Sequence, residues 1–102
     1  DILKAVEVIK TMGGGLAAVT DQKVLASLPL PIAGLMSEAS VAQVNIQLEV
    51  LHRAAKNLGC KIQDPFMTLS FLSLPVIPEL KITDKGLIDV NHFKIVPLFG
   101  EE

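Results

Sequence analysis

Residues Leu28-Pro29-Leu30-Pro31-Ile32-Ala33-Gly34-Leu35-Met36 place two prolines two positions apart inside an apolar run. Proline lacks the backbone N–H and fixes its own φ, so this spacing forbids a helix interior and a central strand. A solvated loop would not carry Leu28, Leu30, Ile32, Leu35 and Met36. The segment is therefore expected to be extended and pressed against something. Leu30, Ile32 and Met36 are its candidates for contact with another domain or subunit.

The rest of the chain frames this segment. Ile2, Ala5, Val6, Ile9 and Met12 recur at helical spacing, with Lys4, Glu7 and Thr11 on the other side. Asp1 stands at the N-cap position and Gly13 at the C′ position. Leu16–Thr20 and Lys23–Leu28 are short apolar runs separated by the turn-forming pair Asp21-Gln22, and read as a β-hairpin. Val41, Val44, Leu48, Leu51, Ala55 and Leu58 form one stripe of a longer, core-facing helix. Ser37 or Ser40 would cap it and Gly59 would end it.

Asp64-Pro65 opens a further element, since Asp is a good N-cap and Pro fits the first helical turn. Phe66–Leu74 would be a short helix ending before Pro75; a buried strand is the competing reading. Phe66 and Phe71 are the expected core anchors, so Phe71→Ala should unfold the piece while Leu30→Ala should mainly change association. Leu80–Thr83 and Leu87–Val90 flank Asp84-Lys85-Gly86 as a second hairpin. Phe93–Phe99 alternates loosely as a last strand. The fold class is α+β: a small antiparallel sheet of short hairpins with two or three helices packed on one face.

Length and composition bound the function. The 102 residues allow a single domain, 1–102. Charged residues make up 20%, the net charge is −2 and the pI is about 5.6, which excludes disorder and the usual basic nucleic-acid binder. A single cysteine excludes an internal disulfide framework and fits a reducing, cytoplasmic setting. The longest uncharged stretches, 24–37 and 65–78, are too short and too proline-rich to span a bilayer. With glycine the apolar set reaches about 57%, above the usual 45–50%. A domain this small cannot hide that much apolar surface alone. The start at Asp1, with no initiator Met and no signal sequence, reads as a processed chain or an excised fragment.

Motifs for chemistry are sparse. Gly13-Gly14-Gly15-Leu16-Ala17-Ala18 matches G-x-G-x-x-A, but that fingerprint needs a strand before and a helix after. Here the order is reversed, so a helix cap and a close backbone approach is the preferred reading. His52, His92 and Cys60 show no metal-ligand spacing. Cys60 reads as a small hydrophobe. Glu79, Asp84 and Asp89 are scattered acids, with Asp84 accounted for by its turn. No catalytic, cofactor-binding or metal-binding residue is assigned.

Several runs carry a family resemblance: Met12–Leu16, Leu28–Ser37, Leu58-Gly59-Cys60, Asp64–Leu72, Leu74–Leu80 and Thr83–Leu87. Together they resemble the C-terminal domain of bacterial adenine deaminase, in the amidohydrolase superfamily. The resemblance implies a parent enzyme that hydrolyses adenine to hypoxanthine and ammonia in purine salvage, at a barrel holding divalent metals, manganese or iron. It implies no catalytic residue or cofactor in this chain, which looks like the last part of that domain. The partners implied are the metal-binding barrel domain and a second subunit in a homo-oligomer, with no nucleic acid and no membrane. The isolated chain is expected to be inactive. The alternative is an independent small-molecule- or protein-binding α+β module, with the same apolar surface as its groove.

Overall fold

The computed structural model describes residues 1–100. The chain forms two compact units, Asp1–Pro65 and the residues from Phe66 onward. The architecture is α+β, with three helices, one two-stranded and one three-stranded antiparallel sheet. No helix among the described residues is long and apolar enough to cross a membrane.

In the first unit, helix α1 (Ile2–Met12) leads into strands β1 (Gly15–Thr20) and β2 (Lys23–Pro29). The helix ends as its glycines require. Gly13 adopts φ 78° and donates to Lys10 O, and Gly14 donates to Ile9 O, closing a Schellman motif. Asp1 does not cap its own helix through its side chain. Its carboxylate instead accepts the backbone N–H groups of Asp21 (3.2 Å) and Gln22 (2.9 Å). Those two residues form the hairpin loop with φ of 49° and 61°. Two positive φ values make a type I′ turn, whose twist suits a two-residue hairpin but which normally recruits Asn-Gly. The Asp1 carboxylate offsets the strain of two non-glycine residues there.

The apolar residues of α1 do not all face inward. Lys4, Glu7 and Thr11 line a shallow groove with Val8, Met12, Val24 and Ser27, while Ile2, Leu3 and Val6 are exposed. Hydrophobic spacing alone placed Ile2 and Val6 inward; the inward row instead runs through Ala5, Val8, Ile9 and Met12.

Glycine decides how the hairpin meets the proline segment. A Cβ on Gly15 would run into the carbonyl oxygen of Leu28, and one on Gly14 would lie 2.8 Å from Gly34 Cα. Backbone thus packs directly on backbone, and Leu30 N–H donates to Gly14 O at 3.0 Å. Beyond it, Ile32 and Met36 exchange backbone hydrogen bonds of 3.1 Å each around a tight loop with Ala33 at φ 57° and Gly34 at φ 73°. The apolar proline segment is thus a small closed loop laid on the glycines.

Helix α2 (Val41–Asn57) starts at a capping box. Ser40 Oγ accepts from Gln43 N, and the Gln43 side chain accepts from Ser40 N. It ends in a second Schellman motif, with Gly59 at φ 99° donating to Lys56 O and Cys60 donating to Ala55 O. Its buried residues are Leu51, fully enclosed, and Ala54. Val41 and Leu58, the ends of the expected stripe, are exposed. The core of this unit gathers Ala18, Ala26, Leu28, Leu30, Leu51 and Ala54. Leu30, expected among the contact residues, is 9% exposed and belongs to this core.

The second unit begins with α3 (Pro65–Ser70) and a 3-10 turn (Phe71–Ser73), the helical reading of the Phe66–Leu74 segment. Strands β3 (Leu80–Thr83), β4 (Gly86–Asp89) and β5 (Lys94–Val96) form an antiparallel meander. The Thr83 hydroxyl fixes the first turn: it donates to Gly86 O and accepts from Lys85 N. Val90 is buried and donates to Glu79 O. Phe66 is half-buried and Phe71 is 48% exposed. Phe71 is therefore not the core anchor its type suggested, because a six-residue helix followed by a 3-10 turn does not keep one inward stripe.

Two stability outcomes follow. Leu51→Ala should cost about 2–5 kcal/mol, with Leu30→Ala in the same direction and Phe71→Ala clearly less; chemical denaturation compares them. Gly15→Ala should be more damaging than Gly13→Ala, because only at Gly15 would the methyl meet immovable backbone. Equal thermal shifts for the two alanines would contradict the close approach.

Candidate functional site

A concavity in the first unit lies where α2 ends. The last turns of the helix supply His52, Arg53, Ala55 and Lys56. The Schellman turn at Gly59 reverses the chain, so Cys60, Lys61, Ile62 and Gln63 run back along the helix end, and Pro65 closes the wall. The open groove between them holds about 850 Å³, within the range of roughly 300–1,000 Å³ typical of ligand pockets. His52 Nε2 lies 3.3 Å from Asp64 Oδ1. Arg53, Lys56 and Lys61 line the same groove and form no ion pair among the described residues. Cys60 is a free, half-buried thiol.

The second unit contains the other histidine. His92 Nδ1 lies 2.8 Å from Asp89 Oδ2, and His92 N–H donates to Asp89 Oδ1 at 3.2 Å. The carboxylate thereby ties the β4–β5 turn. The hydrogen bond from the His92 side chain is the main cause that holds the Asp89 carboxyl below the ordinary aspartate value, with backbone N–H groups and the imidazole charge adding to it and partial desolvation opposing. A neighbouring apolar concavity is lined by Pro75, Val76, Ile88, Phe93 and Ile95, with Phe93 in the left-handed region at φ 51°.

These placements limit the chemistry. Each histidine is bound to one aspartate, and the two pairs lie in different units. Among the described residues no three His, Cys, Asp or Glu side chains come together in a way that could hold a metal ion. Gly13-Gly14-Gly15 is used for helix termination and backbone packing, with its G-x-G-x-x-A spacing a by-product. Of the contact candidates, Ile32 and Met36 are exposed, Met36 by 58%, and Leu30 is buried. Sequence reasoning missed the cationic groove. Arg53 and Lys56 stand at i,i+3, one side of a helix, and Gly59 signals the reversal that returns Lys61. The His52–Asp64 pair, twelve residues apart, had no such signal.

The Asp89 contact has a definite pH sign. A lowered folded-state pKa contributes stability that is present above the unfolded aspartate value and is lost as pH falls through the lowered one, below about pH 4. An NMR titration of the Asp89 carboxyl should show this low midpoint. His92→Ala should raise it toward the ordinary value; a midpoint unmoved by that change would remove the His92 side chain as the main cause.

Comparison with known proteins agrees with these observations. The family model for the adenine deaminase C-terminal domain matches residues 1–94. An adenine deaminase of Desulfatibacillum aliphaticivorans is 61% identical over 99 residues, which is 97% of this chain and 17% of that protein. Adenine deaminase 2 of Carboxydothermus hydrogenoformans is also 61% identical, over 96% of this chain and 17% of its own. An adenine deaminase of Methanothrix thermoacetophila is 55% identical over 98% of this chain and 18% of its own. No solved structure matches. The chain thus spans about a sixth of the length of these relatives, and across nearly all its own length it belongs to the adenine deaminase C-terminal domain family.

Proposed function

We propose that this chain is the accessory C-terminal part of a metal-dependent adenine deaminase that converts adenine and water to hypoxanthine and ammonia in purine salvage. Its role is packing, and the catalytic centre lies in the rest of the polypeptide. A divalent metal bound there would supply the activation of the attacking water, with no side chain of this chain taking part. The observation that carries the reading is the large apolar surface left open on a chain of this family. The Ile32–Met36 loop shows it best, since Ile32, Leu35 and Met36 are exposed on a rigid, hydrogen-bonded frame. Such a surface, rimmed by polar residues, is what a domain buries against a neighbour. The neighbour in this reading is the metal-binding barrel domain or the matching face of a second subunit, in a cytoplasmic homo-oligomer with manganese or iron in its barrel.

The test uses a full-length adenine deaminase that carries this chain. Ile32→Asp and Met36→Asp should each lower its melting temperature and shift its light-scattering mass or its kcat, since each side chain is worth about 1.5–3 kcal/mol when buried. Glu38→Gln, an exposed polar neighbour, serves as the control. Unchanged assembly, melting and turnover in both aspartate variants would refute the packing role. The isolated chain should convert no adenine with added manganese or iron; saturable adenine binding by it would favour an independent binding module instead.

A further inference from the structure

The groove at the end of α2 is not accounted for by packing. Arg53, Lys56 and Lys61 line one concavity in a chain whose net charge is −2. None of the three has an ion-pair partner among the described residues. Asp64 is engaged with His52 at 3.3 Å, and Glu49, one turn before Arg53, makes no ion pair with it. The helix dipole explains Lys56 alone, because its pull fades beyond the last turn. Arg53 lies a turn earlier and Lys61 lies outside the helix. The carbonyl oxygens of Ala55 and Lys56 are already satisfied by the Schellman amides. The cations are thus not caps for the helix end. Cations that line one concavity favour a bound negative group there.

The shape narrows the choice. Ala55, Ile62 and Pro65 add apolar lining to the same groove, whose volume of about 850 Å³ suits a small molecule. An arginine fork with two flexible ammonium groups matches the oxygens of a phosphate. The geometry points to a binding site for a phosphate monoester with a planar apolar body, its phosphate on Arg53, Lys56 and Lys61 and its ring against the apolar lining residues Ala55, Ile62 and Pro65. This site stands independently of the packing role.

The test titrates the full-length enzyme calorimetrically, at low salt, with AMP, inorganic phosphate and adenosine. AMP should bind saturably, tighter than phosphate or adenosine by at least about tenfold, and weaken as salt is raised. The double variant Arg53→Gln/Lys61→Gln should lose at least about tenfold for AMP. The remote double variant Lys10→Gln/Lys85→Gln should retain it, with melting curves confirming that both are folded. On the unmodified protein, AMP should shield Lys56 and Lys61 from lysine acylation read by mass spectrometry. AMP binding unaffected by Arg53→Gln/Lys61→Gln would place it elsewhere and overturn the site. Absence of saturable AMP binding, or equal affinity for adenosine, would also overturn it. Lysines 56 and 61 already protected without ligand would show an acidic face of the polypeptide filling the groove, and would overturn it too.

Discussion

The first unit depends on one backbone-to-backbone contact. Gly14 and Gly15 lie against Leu28, Leu30 and Gly34 so closely that no side chain fits between. The Leu30-to-Gly14 hydrogen bond locks the contact in place. It explains why two prolines are tolerated. Pro29 closes a strand and Pro31 precedes a loop, where neither needs an N–H donor. It also sets Leu28 and Leu30 into the core beside Leu51, where apolar burial supplies the favourable free energy. The strain at Asp21-Gln22 and Ala33 persists because the surrounding hydrogen bonds over-determine those turns.

Helix termination recurs with two different outcomes. Both α1 and α2 end in Schellman motifs built on a left-handed glycine. After α1 the reversal feeds the chain into β1 and the glycine contact. After α2 it returns Lys61 to the groove that Arg53 and Lys56 also line. A single local device, available because glycine has no Cβ, thus organises both the core and the candidate binding surface.

Local signals carried far. The turn pair Asp21-Gln22, the caps Gly13, Ser40 and Gly59, and the Thr83–Gly86 turn all lie where the structure uses them. Each acts within a few residues, so spacing suffices to find it. The family resemblance was equally legible, since long unusual runs such as Leu28–Ser37 retain identity. Burial was not. Leu30 looked like a contact residue because it shares a proline segment with Ile32, yet the glycine contact turns one inward and the other outward. Phe71 looked like core because of its size, and Ile2 and Val6 because of their spacing. What covers a side chain depends on elements distant in sequence, such as Leu51 for the hairpin, and periodicity does not contain that information.

The sequence by itself determined the α+β class, the ends of α1 and α2, the hairpin turns and the family. All of these rest on short-range constraints: proline's fixed φ, glycine's access to positive φ, and capping hydrogen bonds within a few residues. Only the tertiary structure decided which face of α1 turns inward, that Leu30 is core while Ile32 and Met36 are surface, and that His52 meets Asp64. It alone brought Arg53, Lys56 and Lys61 around one groove. The physical reason is that burial and charge convergence are properties of pairs far apart in the chain, fixed only when close packing selects one arrangement among those the local rules allow.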